Sequence, residues 1–296
     1  GETGKEIQVY DTGQYTLSYT DFNGNVYDHT VNVYSEGYPL QETIDTVFEI
    51  GTYINLDPGD DFDSYSWSDN TFEQEKLIFN NEDLQVQLIT ENGCTISKEY
   101  HALLKQTIEL SAGWSMISTC IDPVHANIDS IFAELNSLII LKNQMGLTYL
   151  PAYEINQIGN HTLGQGYLVK MELSENLEIV GSSISPENIP INLSSGWNMI
   201  AFLHHQPVSI EFALSGIIAD IELIKNDLGQ LYWQSFGIYT LSELLPTEGY
   251  QIKINSNQVF TYPNFCSGSF IDARDGQNYN MTQIGNQCWM AENLNV

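Results

Sequence analysis

The chain has 296 residues, of which 42% are hydrophobic, and its nine Lys+Arg against 38 Asp+Glu give a formal net charge of −29. That length allows two or three folded domains, and that hydrophobic content excludes a largely disordered chain. A surface so rich in carboxylates repels phosphate groups, which argues against nucleic acid and anionic membranes as partners. Apolar runs such as residues 138–141 are too short to insert in a membrane.

Two alternating segments that end in Asn-Gly predict β-hairpins in the first third of the chain. Residues 15–24 alternate up to Asn23-Gly24, and residues 84–93 repeat that pattern up to Asn92-Gly93. Asn-Gly favours a type I′ turn, because both central residues of that turn need positive φ. We therefore predict a complete β-sandwich over 36–107 and the C-terminal half of a similar domain over 1–35.

An internal repeat occupies the middle of the chain. Ile-Glu-Leu-Ser-Ala-Gly-Trp-Ser-Met-Ile from Ile108 recurs as Ile-Asn-Leu-Ser-Ser-Gly-Trp-Asn-Met-Ile from Ile191. The Lys-Asn-x-x-Gly and Gly-Tyr-x-Val/Ile-Lys motifs that follow recur at the same offset, without a gap. Three motifs in one register predict a duplicated module, at 108–190 and 191–265.

Each copy combines a strand pattern with a helix pattern. Gly-Trp-x-Met-Ile is typical of a buried strand, and Lys-Asn-x-x-Gly predicts a hairpin turn. Ser209 is a typical helix N-cap, and the apolar residues after it keep helical spacing: Ile210, Ala213, Leu214, Ile217, Ile218 and Ile221. A similar stripe in the first copy comprises Ile128, Ile131, Phe132, Leu135 and Leu138. The predicted fold is therefore mainly β, with immunoglobulin-like β-sandwich repeats followed by a duplicated small α+β module.

Three segments resemble modules of exported bacterial surface proteins. The unit at 36–107, with Tyr65-Ser-Trp67-Ser and Glu91-Asn92-Gly93-Cys94, resembles the immunoglobulin-like and PKD-like repeats of large Bacteroidota surface proteins. The duplicated units resemble the Gly-Trp-Asn-x-Ile modules found in the same class of protein. Residues 266–296, with Cys288-Trp-Met-Ala-Glu-Asn-Leu-Asn, are similar to the start of the Fibrobacter succinogenes major paralogous domain. These resemblances imply an extracellular, cell-surface setting and no assigned catalytic activity.

The four cysteines do not follow a metal-binding or redox spacing. Cys266 and Cys288 lie in one short C-terminal stretch, where a disulfide is expected in an oxidising compartment. Cys94 and Cys120 fall in different predicted modules and are interpreted as buried free thiols.

Four carboxylates in one short loop form the candidate metal site. Asp57, Asp60, Asp61 and Asp63 offer hard oxygen ligands of the kind that Ca²⁺ prefers. The loop lacks the ligand spacing of an EF-hand, so an ordinary solvated acidic loop is the alternative interpretation. Calcium is the one cofactor that the sequence suggests.

Adjacent aromatic residues in the second repeat form the candidate ligand-stacking site. Tyr232 and Trp233 are neighbours on a predicted strand, so one of them should face outward. An outward aromatic ring can stack on a sugar, although strand aromatics more often belong to a core. No catalytic motif of the serine hydrolase, zinc protease or P-loop type occurs in the chain.

The sequence thus predicts a non-catalytic spacer or adhesive segment of an exported surface protein, with other surface proteins or glycans as partners. One alternative is the carbohydrate-binding accessory region of a secreted polysaccharide-degrading enzyme. The other is an extracellular filament subunit that assembles through an exposed edge strand.

Overall fold

Strands are the main secondary structure of the chain. A computed structural model describes residues 13–33, 41–264, 269–271, 278–284 and 287–290. Within these ranges the chain is mainly β, as predicted, and almost all strand pairs are antiparallel. No helix in the described ranges is both long and apolar enough to cross a bilayer.

The first element is a two-stranded hairpin of β1 (Gly13–Thr20) and β2 (Val26–Val33). The hairpin is as predicted, but its turn is not type I′, because Gly24 has positive φ and Asn23 does not. Instead, the Asp21 carboxylate accepts hydrogen bonds from the backbone N–H of Asn23 and of Asn25, both at 2.8 Å. The side chain therefore holds a longer loop in which only the glycine needs a left-handed conformation.

The second unit comprises six strands, which lie in two sheets: β3 (Gln41–Glu49), β4 (Ile54–Leu56), β5 (Ser64–Trp67), β6 (Lys76–Ile78), β7 (Glu82–Ile89) and β8 (Thr95–Leu110). One sheet pairs β4 with β6, and the other runs β5–β7–β8, with β3 parallel to β8. Leu56 and Ile78 from the small sheet share a core with Trp67 and Val86 from the large one. The β7–β8 hairpin is also as predicted, and Cys94 in its turn is exposed rather than buried.

Strand β8 continues through the predicted boundary at residue 107. Its even-numbered residues from Tyr100 to Leu110 are buried, so one face, apolar except for Gln106, is covered along this part of the strand. Its last residues pair with a strand of the first repeat, β15 (Glu175–Ser183), in register Ile108 to Leu177. A single hydrophobic core extends from Phe48 to Ile179. The sandwich and the first repeat therefore share a sheet and a core.

The first repeat places its remaining elements in chain order as β9 (Gly113–Ile117), β10 (Ile121–Pro123), α1 (Ile128–Ile131), β11 (Leu138–Lys142), β12 (Thr148–Leu150), β13 (Ile155–Asn156) and β14 (Tyr167–Met171). Strand β10 pairs with β15, and a five-stranded sheet has the order β13–β12–β11–β14–β9.

The second repeat comprises β16 (Ile191–Leu193), β17 (Gly196–Ala201), β18 (Val208–Ser209), α2 (Ile210–Ala213), β19 (Ile221–Lys225), β20 (Leu231–Trp233), β21 (Ile238–Tyr239), β22 (Glu243–Leu244), β23 (Gly249–Ile254) and β24 (Gln258–Phe260). Its sheet order, β21–β20–β19–β23–β17, matches that of the first repeat strand for strand. The bulge between Leu138 and Ile140 recurs between Ile221 and Leu223. The second repeat has a separate core, from Ile191 to Tyr262.

The helices predicted from the apolar stripes are single turns. α2 ends at Ala213, and its apolar spacing continues through a turn, a 3₁₀ segment at Ile218–Asp220 and the start of β19. Ser215-Gly216 interrupts the pattern with residues that disfavour helix. Ser209 is the N-cap, as predicted. The start of α2 falls one position before the counterpart of the start of α1, so the two copies differ locally in register.

The two repeats contact each other through an isologous interface. Ser118 N–H donates to the Thr247 carbonyl at 2.8 Å, and the equivalent Ala201 N–H donates to the Gly164 carbonyl at 3.0 Å. The β-bridge of Ile117 with Glu248 has its counterpart in that of Ile200 with Gln165. Each contact thus occurs twice with the roles of the copies exchanged, as across a two-fold axis.

The same interface covers the free edges of β9 and β17. The Met116 N–H donates to the Asp227 carboxylate at 3.0 Å, and the equivalent Met199 N–H donates to the Gln144 side-chain carbonyl at 3.0 Å. Gln144 and Asp227 lie in equivalent hairpin turns, after β11 and β19. Each copy therefore satisfies an edge-strand amide of the other, which protects that edge from pairing elsewhere.

The last described elements are β25 (Ser269–Ile271), β26 (Asn278–Ile284) and β27 (Gln287–Met290), which form an antiparallel sheet in that order.

Candidate functional site

The four carboxylates of the predicted metal site lie in the loop between β4 and β5. Asp60, Asp61 and Asp63 line an open cleft of about 430 Å³ together with Glu91. Asp57 holds the turn instead, since its Oδ1 accepts from the Gly59 N–H at 2.9 Å. Among the described residues, no three His, Cys, Asp or Glu side chains form a group that could hold a metal ion. Calcium binding by this loop stays a prediction.

The predicted Cys266–Cys288 disulfide lies outside the described residues, because neither Cys266 nor the side chain of Cys288 is among them. Of the other two cysteines, Cys120 is a buried free thiol, as predicted. Burial raises the pKa of its thiol to about 12, so it stays protonated and unreactive at neutral pH.

Tyr232 and Trp233 of β20 point to opposite sides, as alternation predicts. Tyr232 is 2% exposed and belongs to the core of the second repeat. Trp233 is half-buried, and its ring centroid lies 4.1 Å from that of Phe236. The neighbouring phenyl ring therefore covers part of the indole that was expected to stack on a ligand.

His204 is buried and His161 is partly buried. The Nε2 atom of His161 lies 3.0 Å from the Thr119 hydroxyl, and its ring packs against Tyr167. Burial lowers the pKa of His161 to about 4 and that of His204 to about 4 as well. Both imidazoles are therefore neutral at physiological pH and serve as core residues.

The repeated motifs build an exposed aromatic surface on the first copy. Trp114 on β9 lies directly opposite Lys170 on β14, and its side chain is 45% exposed. The Lys170 Nζ lies 5.6 Å from the indole centroid, and the Lys142 Nζ from β11 lies 5.5 Å from it. We call this group, Trp114 with Lys142 and Lys170, platform 1.

The second copy presents the equivalent group at the corresponding positions of its own sheet. Trp197 lies opposite Lys253, is 48% exposed, and has the Lys225 Nζ 5.0 Å from its ring centroid. We call Trp197 with Lys225 and Lys253 platform 2. Only one ammonium group lies over the ring here, compared with two in platform 1. Lys253 forms an ion pair with Glu222 at 2.8 Å instead, where the first copy has Ile139.

Basic residues are concentrated at these two platforms. Nine Lys+Arg occur in the whole chain. The ammonium groups of three of them lie over the two indoles, and a fourth, Lys253, lies opposite Trp197 in the sheet. Within the described ranges Lys76, Lys98, Lys105 and Lys253 form ion pairs with carboxylates, whereas Lys142, Lys170 and Lys225 form none. In a chain of net charge −29, the platforms are local positive surfaces around an apolar ring.

The prediction that the Gly-Trp-x-Met-Ile segments are buried strands is right for Met and Ile and wrong for Trp. Alternation places Trp114 and Met116 on the same face of β9. Met116 is buried because the second copy covers that end of the strand, whereas Trp114 lies beyond the contact. The signal available in the sequence was the retention of one Trp and two Lys at fixed spacing in both copies.

Comparison with models of known protein families and with curated proteins finds no match to this chain.

Proposed function

We propose that this chain is a non-catalytic spacer or adhesive segment of an exported bacterial surface protein. The observation that carries the proposal is the continuity of structure between successive modules. A segment that holds a binding domain away from a cell must keep its modules aligned. Here the sandwich and the first repeat share a strand and a core, and the two repeats are joined by a hydrogen-bonded interface.

The first junction is strand β8, which belongs to the sandwich at its start and to the first repeat at its end. It pairs with β3 and β7 in the sandwich and with β15 in the repeat. The Glu49 carboxylate provides a further contact at the junction. It accepts hydrogen bonds from the Thr107 N–H at 3.0 Å and from the Thr107 hydroxyl at 3.1 Å. Tension along β8 therefore acts on many hydrogen bonds at once, because ladder bonds lie across the strand direction.

The second junction is the two-fold contact between the repeats. Backbone hydrogen bonds from Ser118 and Ala201 cross it, and the Ser118 hydroxyl also donates to the Glu248 carbonyl at 2.7 Å. A high negative charge keeps such a surface soluble and unassociated in an external medium. Both features support an extended structural role more than a small-molecule reaction.

The test is the location of the segment in the organism that encodes it. Antibodies raised against residues 41–264 should label intact cells, and external protease should remove that label. Labelling that appears only after the cells are permeabilised would contradict the proposal. An internal periplasmic or cytoplasmic marker, detected in parallel, reports whether the cells stayed intact.

The exposed platforms favour a second candidate, a carbohydrate-binding accessory region. Aromatic rings that stay in solvent on a rigid sheet are suited to stacking on sugar rings. A spacer segment can carry such sites, so the two functions are compatible.

A further inference from the structure

The two platforms keep their surface residues while neighbouring surface positions differ between the copies. The Trp and both Lys residues of platform 1 are identical in type to their counterparts in platform 2. Flanking positions that are exposed or half-buried have changed: Ile139 to Glu222, Met145 to Leu228, Leu168 to Gln251. Core packing accounts for retained buried residues, but it does not require an indole that is 45% exposed in one copy and 48% in the other.

Stabilisation by the lysines does not account for the retained set either. A Lys ammonium at an exposed indole contributes about 0.5–1 kcal/mol. Many other cross-strand pairs on a solvent-facing sheet contribute as much. The specific combination of one flat apolar ring and two ammonium groups therefore points to a ligand that has matching parts.

We propose that platform 1 and platform 2 each bind the ring of an acidic sugar of the uronic acid class. The apolar C–H face of a pyranose ring covers the indole, and the ring carboxylate pairs with the lysine ammonium groups. At physiological ionic strength the Debye length is about 8 Å, so distant acidic residues do not cancel the field of two lysines next to the carboxylate.

The lysine ammonium groups of the platforms and the net charge of the chain together favour this ligand over a neutral sugar or a nucleic acid. A neutral ring uses only the indole and leaves the lysines without a partner. A nucleic acid presents dense phosphate charge over a long surface, which the net charge of −29 repels. A uronate polymer carries one carboxylate beside each apolar ring, which matches the composition of one platform.

The two platforms should differ in affinity. In platform 1 both Lys142 and Lys170 are without a carboxylate partner among the described residues, whereas in platform 2 the Lys253 ammonium is already paired with Glu222. Platform 1 therefore offers two available charges and platform 2 offers one. We expect platform 1 to bind the sugar carboxylate more tightly.

The experiment titrates the full chain with oligogalacturonate and with alginate oligomers, and cellohexaose serves as the neutral probe. Binding is followed through the indole N–H signals of the five tryptophans by NMR. We expect the Trp114 signal to shift first and the Trp197 signal at higher concentration. If both acidic oligomers shift these signals, the platforms recognise the uronate group that the two oligomers share. If only one of them does, the platforms recognise the uronate of that polymer.

Variants separate the roles of the ring and the charges. Trp114→Ala and the double variant Lys142→Gln with Lys170→Gln should each weaken uronate binding by about tenfold at platform 1. Trp233→Ala is the matched control, because that indole is covered by Phe236 and has no lysine beside it. Each variant is first shown by circular dichroism to keep the β-sheet spectrum of the parent chain.

Three results would overturn the proposal. The first is no indole shift at millimolar uronate in the folded parent chain. The second is cellohexaose binding as tight as that of the acidic oligomers, which would remove the role of the lysines. The third is uronate binding that Trp114→Ala leaves unchanged. None of these results bears on where the segment is located, so the spacer proposal is tested separately.

Discussion

Gly166 lies so close to Ile200 that a β-carbon built on it would stand 2.7 Å from the Ile200 carbonyl oxygen, and Gly249 has the same relationship to Ile117. Neither glycine has a positive φ, so the reason for glycine at both positions is the approach of the other copy. The Gly-Tyr motif of the repeat is thus a contact motif of the two-fold interface.

Gly166→Ala should destabilise the chain, because the added methyl group pushes against backbone that cannot move aside. We expect the free energy of unfolding to fall by about 1–3 kcal/mol, measured by urea titration. Gly216→Ala is the control, since no atom lies within 4 Å of its built β-carbon. Equal stability of the two variants would show that the interface tolerates the extra methyl group.

The contacts of Asp227 and Gln144 with the edge strands β9 and β17 provide a second prediction. Asp227→Ala removes the acceptor of the Met116 N–H, and an edge amide without a partner should cost about 1–3 kcal/mol. Asp227→Asn keeps a carbonyl acceptor and should retain most of the stability.

We also expect the combination of Asp227→Ala with Gln144→Ala to self-associate, because both edge strands are then open to pairing. Light scattering over a concentration series measures the self-association. A double variant that stays monodisperse would argue against a protective role for the Asp227 and Gln144 side chains.

The shared core predicts energetic coupling between the sandwich and the first repeat. Leu141→Ala, at a fully buried position of that core, should cost about 2–5 kcal/mol and should accelerate amide hydrogen exchange in strand β5, far along the chain. Ile224→Ala is the equivalent change in the separate core of the second repeat and should affect β5 less. Exchange in β5 that responds equally to both variants, or to neither, would contradict the coupling.

The partly buried His161 predicts a pH dependence of stability. Burial holds the pKa of His161 near 4 in the folded chain, against about 6.5 in the unfolded chain. Between these values the unfolded state binds more protons, so the free energy of unfolding falls as the pH drops from about 6.5 towards 4. His204 acts in the same direction, because burial lowers its pKa as well.

Thermal melting at pH 7 and at pH 4.5 checks this dependence. His161→Gln should reduce the difference between the two melting temperatures, whereas His125→Gln, at an exposed position, should leave it as in the parent chain. A difference that His161→Gln does not reduce would assign the acid sensitivity to other groups.

Melting with calcium and with a chelator decides between the two interpretations of the acidic loop. An ion that binds only the folded state raises the melting temperature, so a calcium site should give a rise that is lost in the combined Asp60→Asn, Asp61→Asn and Asp63→Asn variant. An unchanged midpoint would leave the loop as an ordinary solvated acidic loop.

Features that depend on local chain chemistry could be predicted from the sequence. The two hairpins, the Ser209 cap and the Lys-Asn-x-x-Gly turn follow from residues close together in the chain. The Asn143 side chain illustrates this, since it accepts from the N–H of Met145 and of Leu147, both at 3.0 Å. The repeated motifs likewise predicted a second copy of the same sheet.

Features that depend on what covers a surface could not be predicted in this way. The alternation along β8 shows a strand, but it does not show that the partner changes from β7 to β15 after residue 102. Trp114 and Met116 share one face of β9, and only the position of the second copy decides that one is exposed and the other buried. The candidate site was missed for that reason.

The two halves of the two-fold contact are parts of one polypeptide, which affects how the contact responds to dilution. Two separate copies would have to meet by diffusion, and dilution would dissociate them. On one chain the connection between β15 and β16 holds the halves at an effective concentration of the order of millimolar. The paired state should therefore be independent of how dilute the protein is.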